Sequence, residues 1–282
     1  MKARLSVLII TKNNEDTIGK TLESVKGFDE IVVVDSCSKD KTREIVHKVL
    51  KSKVYKVLSK EFDDIGKQRA YGLKYVIGDW VLILDSDEIV SEELKKEIVK
   101  LLNGYIVEKT AYEIPFQNYF IGRQIKYGGE NYKMVRLFRK DALEIKPSVI
   151  HNKLITRFGK IGRLKNKIHH YSYRSILQVY KKFTYYAIKT AKIKNKEGEK
   201  SSLKKIFLYP VHMFWARFVK DKGYKDGMFR IPLDLGFGYM EFLTYFLLLF
   251  RTRQRNFYHT RVSPSPGGGV PLESEKITLP RP

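Results

Sequence analysis

Over the first hundred residues, short continuous apolar runs alternate with stretches of helical period. The runs are Ser6-Val7-Leu8-Ile9-Ile10, Ile31-Val32-Val33-Val34, Val54-Tyr55-Lys56-Val57-Leu58 and Trp80-Val81-Leu82-Ile83-Leu84, and amphipathic stretches follow at 15–26, 39–51, 63–76 and 91–103. Runs with no alternating polar face are strands buried on both sides, and strands separated by helices pair in parallel through right-handed crossovers. The pattern predicts an α/β fold, a doubly wound and mostly parallel sheet flanked by helices.

In such a sheet, ligands gather beyond the carboxyl ends of the strands. Those ends read Thr11-Lys12-Asn13-Asn14-Glu15, Asp35-Ser36-Cys37-Ser38-Lys39-Asp40 and Asp85-Ser86-Asp87-Glu88. From 111 to 158 the pattern loosens into strand-like pieces at 111–120 and 132–138, with the loop Tyr127-Gly128-Gly129-Glu130 between them. Basic, aromatic helical stretches follow at 173–196, 201–221 and 233–252, and the segment from Ser263-Pro264-Ser265-Pro266 onward has the composition of a flexible linker. The chain thus divides into an α/β part over 1–172, a basic helical region over 173–258 and a tail over 259–282.

Composition narrows the class. An apolar content of 43% with 13% aromatics over 282 residues excludes a disordered chain. The single cysteine, Cys37, excludes an internal disulfide and points to a reducing, cytoplasmic setting. The apolar segment Leu5 to Ile10 is too short for a signal peptide. Charge is unevenly placed: residues 1–150 hold 27 basic and 23 acidic side chains, whereas 151–282 hold 27 and 8. The C-terminal part therefore faces something anionic, a phospholipid surface or nucleic acid.

Asp85-Ser86-Asp87 follows a buried strand. Read as extended chain, one of its two carboxylates can reach a divalent metal while the other takes a sugar or ribose hydroxyl. The plainer reading is an acidic strand end running into a helix capped by Ser91. Asp35 suits an imide N–H or vicinal hydroxyls, or alternatively an Asx turn. Arg69 suits a phosphate, the orientation of a carboxylate, or a solvated helix face.

Four segments together resemble family-2 glycosyltransferases: Ile10-Thr11-Lys12-Asn13, Val34-Asp35-Ser36-Cys37-Ser38-Lys39-Asp40-Lys41-Thr42, the run Gly78 to Glu88, and Arg136-Leu137-Phe138-Arg139. Val149-Ile150-His151, Ile168-His169-His170-Tyr171-Ser172 and Gly223-Tyr224-Lys225-Asp226-Gly227 extend the similarity over about residues 4–250, nearest to the bacterial lipopolysaccharide-core β-glucosyltransferase type. The resemblance implies a GT-A fold, a nucleotide-diphospho-sugar donor with UDP as the expected nucleotide, Mg²⁺ or Mn²⁺, and inversion at the anomeric carbon. It implies that Thr11, Asn13, Asp35 and Arg69 hold the nucleotide, that Asp85 contacts ribose or sugar, and that Asp87 binds the metal. Three positions depart from the pattern. Glu15 is displaced by one behind Asn13-Asn14. Cys37 replaces a glycine, which requires that it keep a negative φ. His151-Asn152 stands where the branch has His-Glu, so a carboxylate is missing.

Inverting transfer needs a base for the acceptor hydroxyl, worth about 10²–10⁴-fold. Glu130, after Gly128-Gly129, is the leading candidate, ahead of Asp141 in Arg139-Lys140-Asp141; its plainer reading is an ordinary loop acid. His170 is read as a second metal ligand or, alternatively, as a packing residue.

The run Tyr239 to Phe250 spans about 18 Å as a helix, short of the ~30 Å hydrocarbon core. It is expected to lie in the interface with its arginines on anionic lipid, or to be a core helix with a solvated basic end. Nucleic acid is disfavoured, because carboxylate-rich strand ends repel phosphate. These readings combine into a peripheral enzyme of the inner membrane face moving a hexose, glucose for preference, onto a lipid-linked saccharide such as lipopolysaccharide core. The rivals are a polyprenyl-phosphate glycosyltransferase and a non-catalytic, basic membrane- or nucleic-acid-binding module on the same scaffold.

Overall fold

The computed structural model describes residues 3–51, 54–104, 109–146 and 153–261. Four strands form the parallel half of a sheet: β1 (Leu5–Thr11), β2 (Glu30–Asp35), β3 (Tyr55–Ser59) and β4 (Trp80–Asp85). Helices α1 (Ile18–Val25), α2 (Thr42–Leu50) and α3 (Ile65–Leu73) connect them, and α4 (Glu92–Leu102) follows the short strand β5 (Glu88–Val90). Antiparallel and mixed pairings extend the sheet through β6 (Lys109–Phe120), β7 (Arg123–Ile125), β8 (Lys133–Arg139), β11 (Lys160–Arg163) and β12 (Ile168–Tyr173). Between these last lie β9 (Leu143–Lys146) and β10 (Lys153–Thr156), which among the described residues form a separate two-stranded sheet. The main sheet runs β3-β2-β1-β4-β8-β6-β12-β5, with β7 and β11 on β6.

β1, β2 and β4 are buried on both faces, as their unbroken apolar runs require, whereas β3, at the sheet edge, is half-buried. Val7, Ile9, Val33 and Leu82 pack against Leu22 of α1 and Leu94 and Ile98 of α4. Leu8, Val32, Val34 and Ile83 point the other way, toward Tyr71 and Leu73 of α3. Side-chain caps set the starts of α3 and α4, where Asp64 and Ser91 accept from the backbone N–H of Lys67 and Leu94. The architecture is of the GT-A type, a large and mostly parallel α/β sheet flanked by helices.

Beyond the sheet come α5 (Ile176–Lys196), α6 (Leu203–Trp215) with a π-helical turn at Ala216–Lys220, and α7 (Ile231–Arg261). Val179 and Phe183 of α5 pack with Leu233 of α7 and with Phe120 and Ile125 of the sheet, while Ile206 of α6 meets Tyr245 and Leu248 of α7.

Three expectations are corrected. Asp85-Ser86-Asp87 is not extended: Asp85 ends β4 and Ser86-Asp87 form a tight turn into β5. Cys37 does take a positive φ, +56°, so the chain bears a left-handed residue where glycine would be free of strain. The apolar run 239–250 belongs to a 31-residue helix, longer than the stretch 233–252 read from the sequence. The segment Met228–Phe250, a 3₁₀ turn at Met228–Arg230 followed by the first part of this helix, is long and apolar enough to cross a membrane by length and composition, with mean hydropathy 1.4 and 39% of its most apolar window buried in the protein.

Candidate active site

Strand register brings the predicted polar ends to one edge. Thr11 lies opposite Asp35, and Ile10 opposite Asp85. A cleft of about 180 Å³ opens there, walled by Thr11, Phe62, Gln68, Asp85, Ser86 and Asp87. The Thr11 hydroxyl is buried with no partner in the protein, so it is free to meet a polar group entering the cleft. Asp35 is buried at the tip of β2, where it accepts from the Ser38 backbone N–H at 3.1 Å and from the Ser38 hydroxyl.

Asn13 serves the scaffold. Its Oδ1 accepts from the Lys39 N–H at 2.8 Å and its own N–H donates to Ser38 Oγ at 2.8 Å. Glu15 likewise accepts from the Lys41 N–H at 2.8 Å. The two loops at the ends of β1 and β2 are clasped together by these bonds.

Asp85 is gripped by two buried arginines. Arg69 Nη2 donates to Oδ1 at 2.7 Å and Arg136 Nη2 to Oδ2 at 3.3 Å, with Arg136 also bonding Glu88 at 2.5 Å. Burial would raise the Asp85 pKa, but the two guanidinium groups outweigh it and hold the carboxyl well below the usual range. Arg69 therefore orients a carboxylate. It and Arg136 keep buried Nε atoms without partners, as is Arg136 Nη1.

Asp87 faces away from that pair, toward His170 on β12. Burial again opposes ionisation and His170 outweighs it, so Asp87 is lowered; reciprocally, burial lowers His170 but Asp87 raises it above its ordinary value. Asn118 fixes the imidazole. Its Nδ2 donates to the Glu130 carbonyl at 2.7 Å, so its Oδ1 is turned to accept from His170 Nδ1 at 2.9 Å. That assigns the proton of the neutral ring to Nδ1 and leaves Nε2 as a lone pair, 3.6 Å from Asp87 Oδ1.

This donor set fits a hard divalent ion. Metal bonds near 2.1 Å put adjacent ligands about 3 Å apart, and a hydrogen-bonded Nδ1 is the usual orienting device for a ligating histidine. Among the described residues no three His, Cys, Asp or Glu side chains converge as a complete site. Asp87 and His170 are the two groups that could hold such an ion, the remaining positions being of the kind substrate phosphates and water fill.

Glu130 is buried on the other side of Asn118. Its carboxylate pairs closely with Arg217 of the π-helical turn and lies 3.9 Å from Arg230 Nη2. Burial lifts its carboxyl above the ordinary value, and the arginines offset part of that lift. Arg230, fully buried, bonds Asp234, Asp226 and the carbonyls of Tyr127 and Gly128. Gly128 (φ +66°) is required there, because a Cβ would stand 2.1 Å from Arg230 Nη2. The loop bearing Glu130 is therefore clamped from the C-terminal helices.

Asp141 is removed from the site: it pairs with Arg139 beside Gly78 and Trp80, at the opposite end of β4 from Asp85. His151 and Asn152 lie outside the described residues. Sequence reasoning missed Asn118, Arg217 and Arg230 as site residues, and also Lys182 of α5, whose charge acts on both Asp87 and His170.

The family model described as "Glycosyl transferase family 2" matches residues 6–172. An uncharacterized glycosyltransferase of Rickettsia typhi is 32% identical over 223 residues, 75% of this chain and 74% of that protein. The poly(ribitol-phosphate) β-N-acetylglucosaminyltransferase TarS of Staphylococcus aureus is 34% identical over 110 residues, 36% of this chain and 19% of that protein. Among solved structures, a mannosyltransferase from Pyrobaculum calidifontis in complex with GDP-Man and Mn²⁺ aligns over 94% of this chain and 77% of its own, at TM-score 0.49 and 13% identity.

Proposed function

The chain belongs to glycosyl transferase family 2, and we propose that it is an inverting hexosyltransferase that moves glucose or another hexose from a UDP-sugar to a hydroxyl of a lipid-linked saccharide, such as a lipopolysaccharide core, at the cytoplasmic face of the membrane. The carrying observation is the approach of His170 Nε2 to within 3.6 Å of Asp87 Oδ1, beside a cleft at the carboxyl ends of the parallel strands.

Thr11 and Asp35 are read as the nucleotide's contacts at the sheet edge. Asp85, fixed by Arg69 and Arg136, presents an ionised acceptor for a ribose or sugar hydroxyl. Asn13 supports the nucleotide side through the turn it clasps. Asp87 and His170 would hold Mg²⁺ or Mn²⁺, which when bound neutralises charge on the departing diphosphate. Lys182 supplies a protein cation to the same region.

In the transfer, the acceptor oxygen bonds the anomeric carbon from the face opposite the diphosphate. The bond from that carbon to the diphosphate oxygen breaks, and its electron pair leaves with the nucleotide. The hydroxyl proton passes to the Glu130 carboxylate, which burial makes a stronger base than a surface acid. Arg217 holds that carboxylate in one orientation.

Donor hydrolysis and transfer, measured with a panel of nucleotide sugars with and without Mn²⁺, test the reading. UDP-sugar turnover should require the ion, and Asp87→Ala should lose turnover while keeping its melting temperature. Full turnover in chelator would refute the metal assignment, and absence of UDP binding would refute the enzyme itself.

A further inference from the structure

The outer side of α6 reverses the usual pattern of a surface helix. Leu203, Phe207, Val211, Trp215 and Val219 recur every fourth residue through α6 and the π-helical turn, and are 67, 63, 66, 49 and 45% exposed. A water-facing stripe carries polar side chains; this one carries large apolar ones. Leu235, Phe242 and Phe246 of α7 continue the surface. Between the helices runs an apolar groove of about 460 Å³ lined by Ile206, Pro210, Phe214 and Tyr239. A contiguous apolar surface of this kind marks a partner or a membrane.

Charge selects the occupant. Residues 173–230 hold 15 basic against 4 acidic side chains, and Lys204, Lys220, Lys222 and Lys225 are exposed around the stripe. Two copies of this face would bring like charges together. An anionic lipid surface satisfies both features at once, apolar residues entering the acyl boundary and lysines resting on phosphates. Trp215, Tyr209 and Tyr224, all exposed, have the apolar body and polar tip that favour headgroup depth.

We propose that the α6–α7 face seats the protein on an anionic phospholipid bilayer. The proposal rests on the membrane-associated reading above and names the surface that carries it. α7 then lies along the interface instead of crossing it, since its other side is occupied by α5 and by the buried Arg230–Asp234 pair. The seating also has a consequence for the reaction. Arg217, on the inward side of the same segment, pairs with Glu130, so the acceptor side of the site is held within about one helix diameter, ~10 Å, of the lipid.

The full chain should sediment with vesicles of phosphatidylcholine and phosphatidylglycerol in equal parts but not with phosphatidylcholine alone, and added salt should weaken the association. Trp215 emission should shift to the blue, Trp80 being already buried. The double variant Phe207→Glu, Val211→Glu should bind the anionic vesicles at least about tenfold more weakly, with melting temperature and UDP-sugar hydrolysis unchanged. Three results would overturn the proposal: equal binding to neutral vesicles, full binding by the variant, or a stable dimer in solution that the variant dissolves, which would assign the face to a second copy. UDP binding measured calorimetrically without vesicles reports separately on the glycosyltransferase reading.

Discussion

Arg217 and Glu130 form an ion pair between the π-helical turn that ends α6 and the loop that leads into β8, joining side chains 87 residues apart. The arginine is held in turn by Asp234 at 3.3 Å and lies over the Phe237 ring at 3.5 Å. Glu130 thus owes its orientation to a segment outside the part of the chain that the family model matches. Removing the cation leaves burial less opposed, so the Glu130 pKa rises further. Arg217→Gln should lower kcat about tenfold to a hundredfold near neutral pH, leave KM for the donor nearly unchanged and move the acid limb of the kcat profile upward. Arg217→Lys, which keeps the charge, should restore part of the rate. A fall in melting temperature with no movement of the acid limb would reduce Arg217 to packing.

Asn118 joins the two halves of the site, donating to the Glu130 carbonyl and accepting from His170 Nδ1. Without it the imidazole loses the bond that fixes its tautomer and leaves Nε2 free. Asn118→Ala should lower the affinity for Mn²⁺ about 10- to 100-fold, the cost of losing such a supporting bond to a ligating histidine. Calorimetric titration of Mn²⁺ in the presence of UDP measures it. Unchanged affinity would remove His170 from the ligand set.

Cys37 sits at φ +56° with its side chain exposed. A left-handed conformation costs an L-residue roughly 1–2 kcal/mol, of which the greater chain entropy of glycine gives back about 0.5–1. Cys37→Gly should therefore raise stability by about 0.5–1 kcal/mol, and Cys37→Val, with its branched Cβ, should lower it. Urea unfolding compares the three; equal midpoints would show that the turn bears no strain.

The sheet was legible because burial on two faces writes itself as an unbroken apolar run, and β1 to β4 end within two residues of those runs. The starts of α3 and α4 follow from local side-chain caps at Asp64 and Ser91. Strand β12 was not legible as a strand: its polar sequence is stabilised by pairing with β5 and β6, remote in the chain. The site divides the same way. Thr11, Asp35, Asp85 and Asp87 stand at the ends of readable strands, so topology alone gathers them. The arginines on Glu130 come from helices about 90 to 100 residues away, a distance over which no sequence period carries information. Arg136 stood in a recognised motif, yet its contact with Asp85 and Glu88 exists only because β8 runs antiparallel to β4.

Glu199 ties the helical region together at the junction of α5 and α6. Its carboxylate accepts from Lys194 at 2.5 Å, from Lys205 at 2.8 Å and from the Tyr245 hydroxyl at 3.2 Å. The hydrogen bonds from the two lysines lower its pKa to about 2 from an ordinary 4.5, more than burial raises it. A carboxyl lowered on folding stabilises the fold fully above its unfolded value and loses that contribution as pH falls through the folded one. The window here is therefore about pH 4.5 down to about 2. Because the group is partly exposed and screened, its contribution is about 1 kcal/mol. Glu199→Gln should be less stable than the parent by about that amount at neutral pH, and the gap should close as the solution is acidified through the window. A gap that stays constant with pH would mean that Glu199 acts through shape and not through charge, and that the α5–α6 junction is held by Tyr245 and the surrounding apolar contacts.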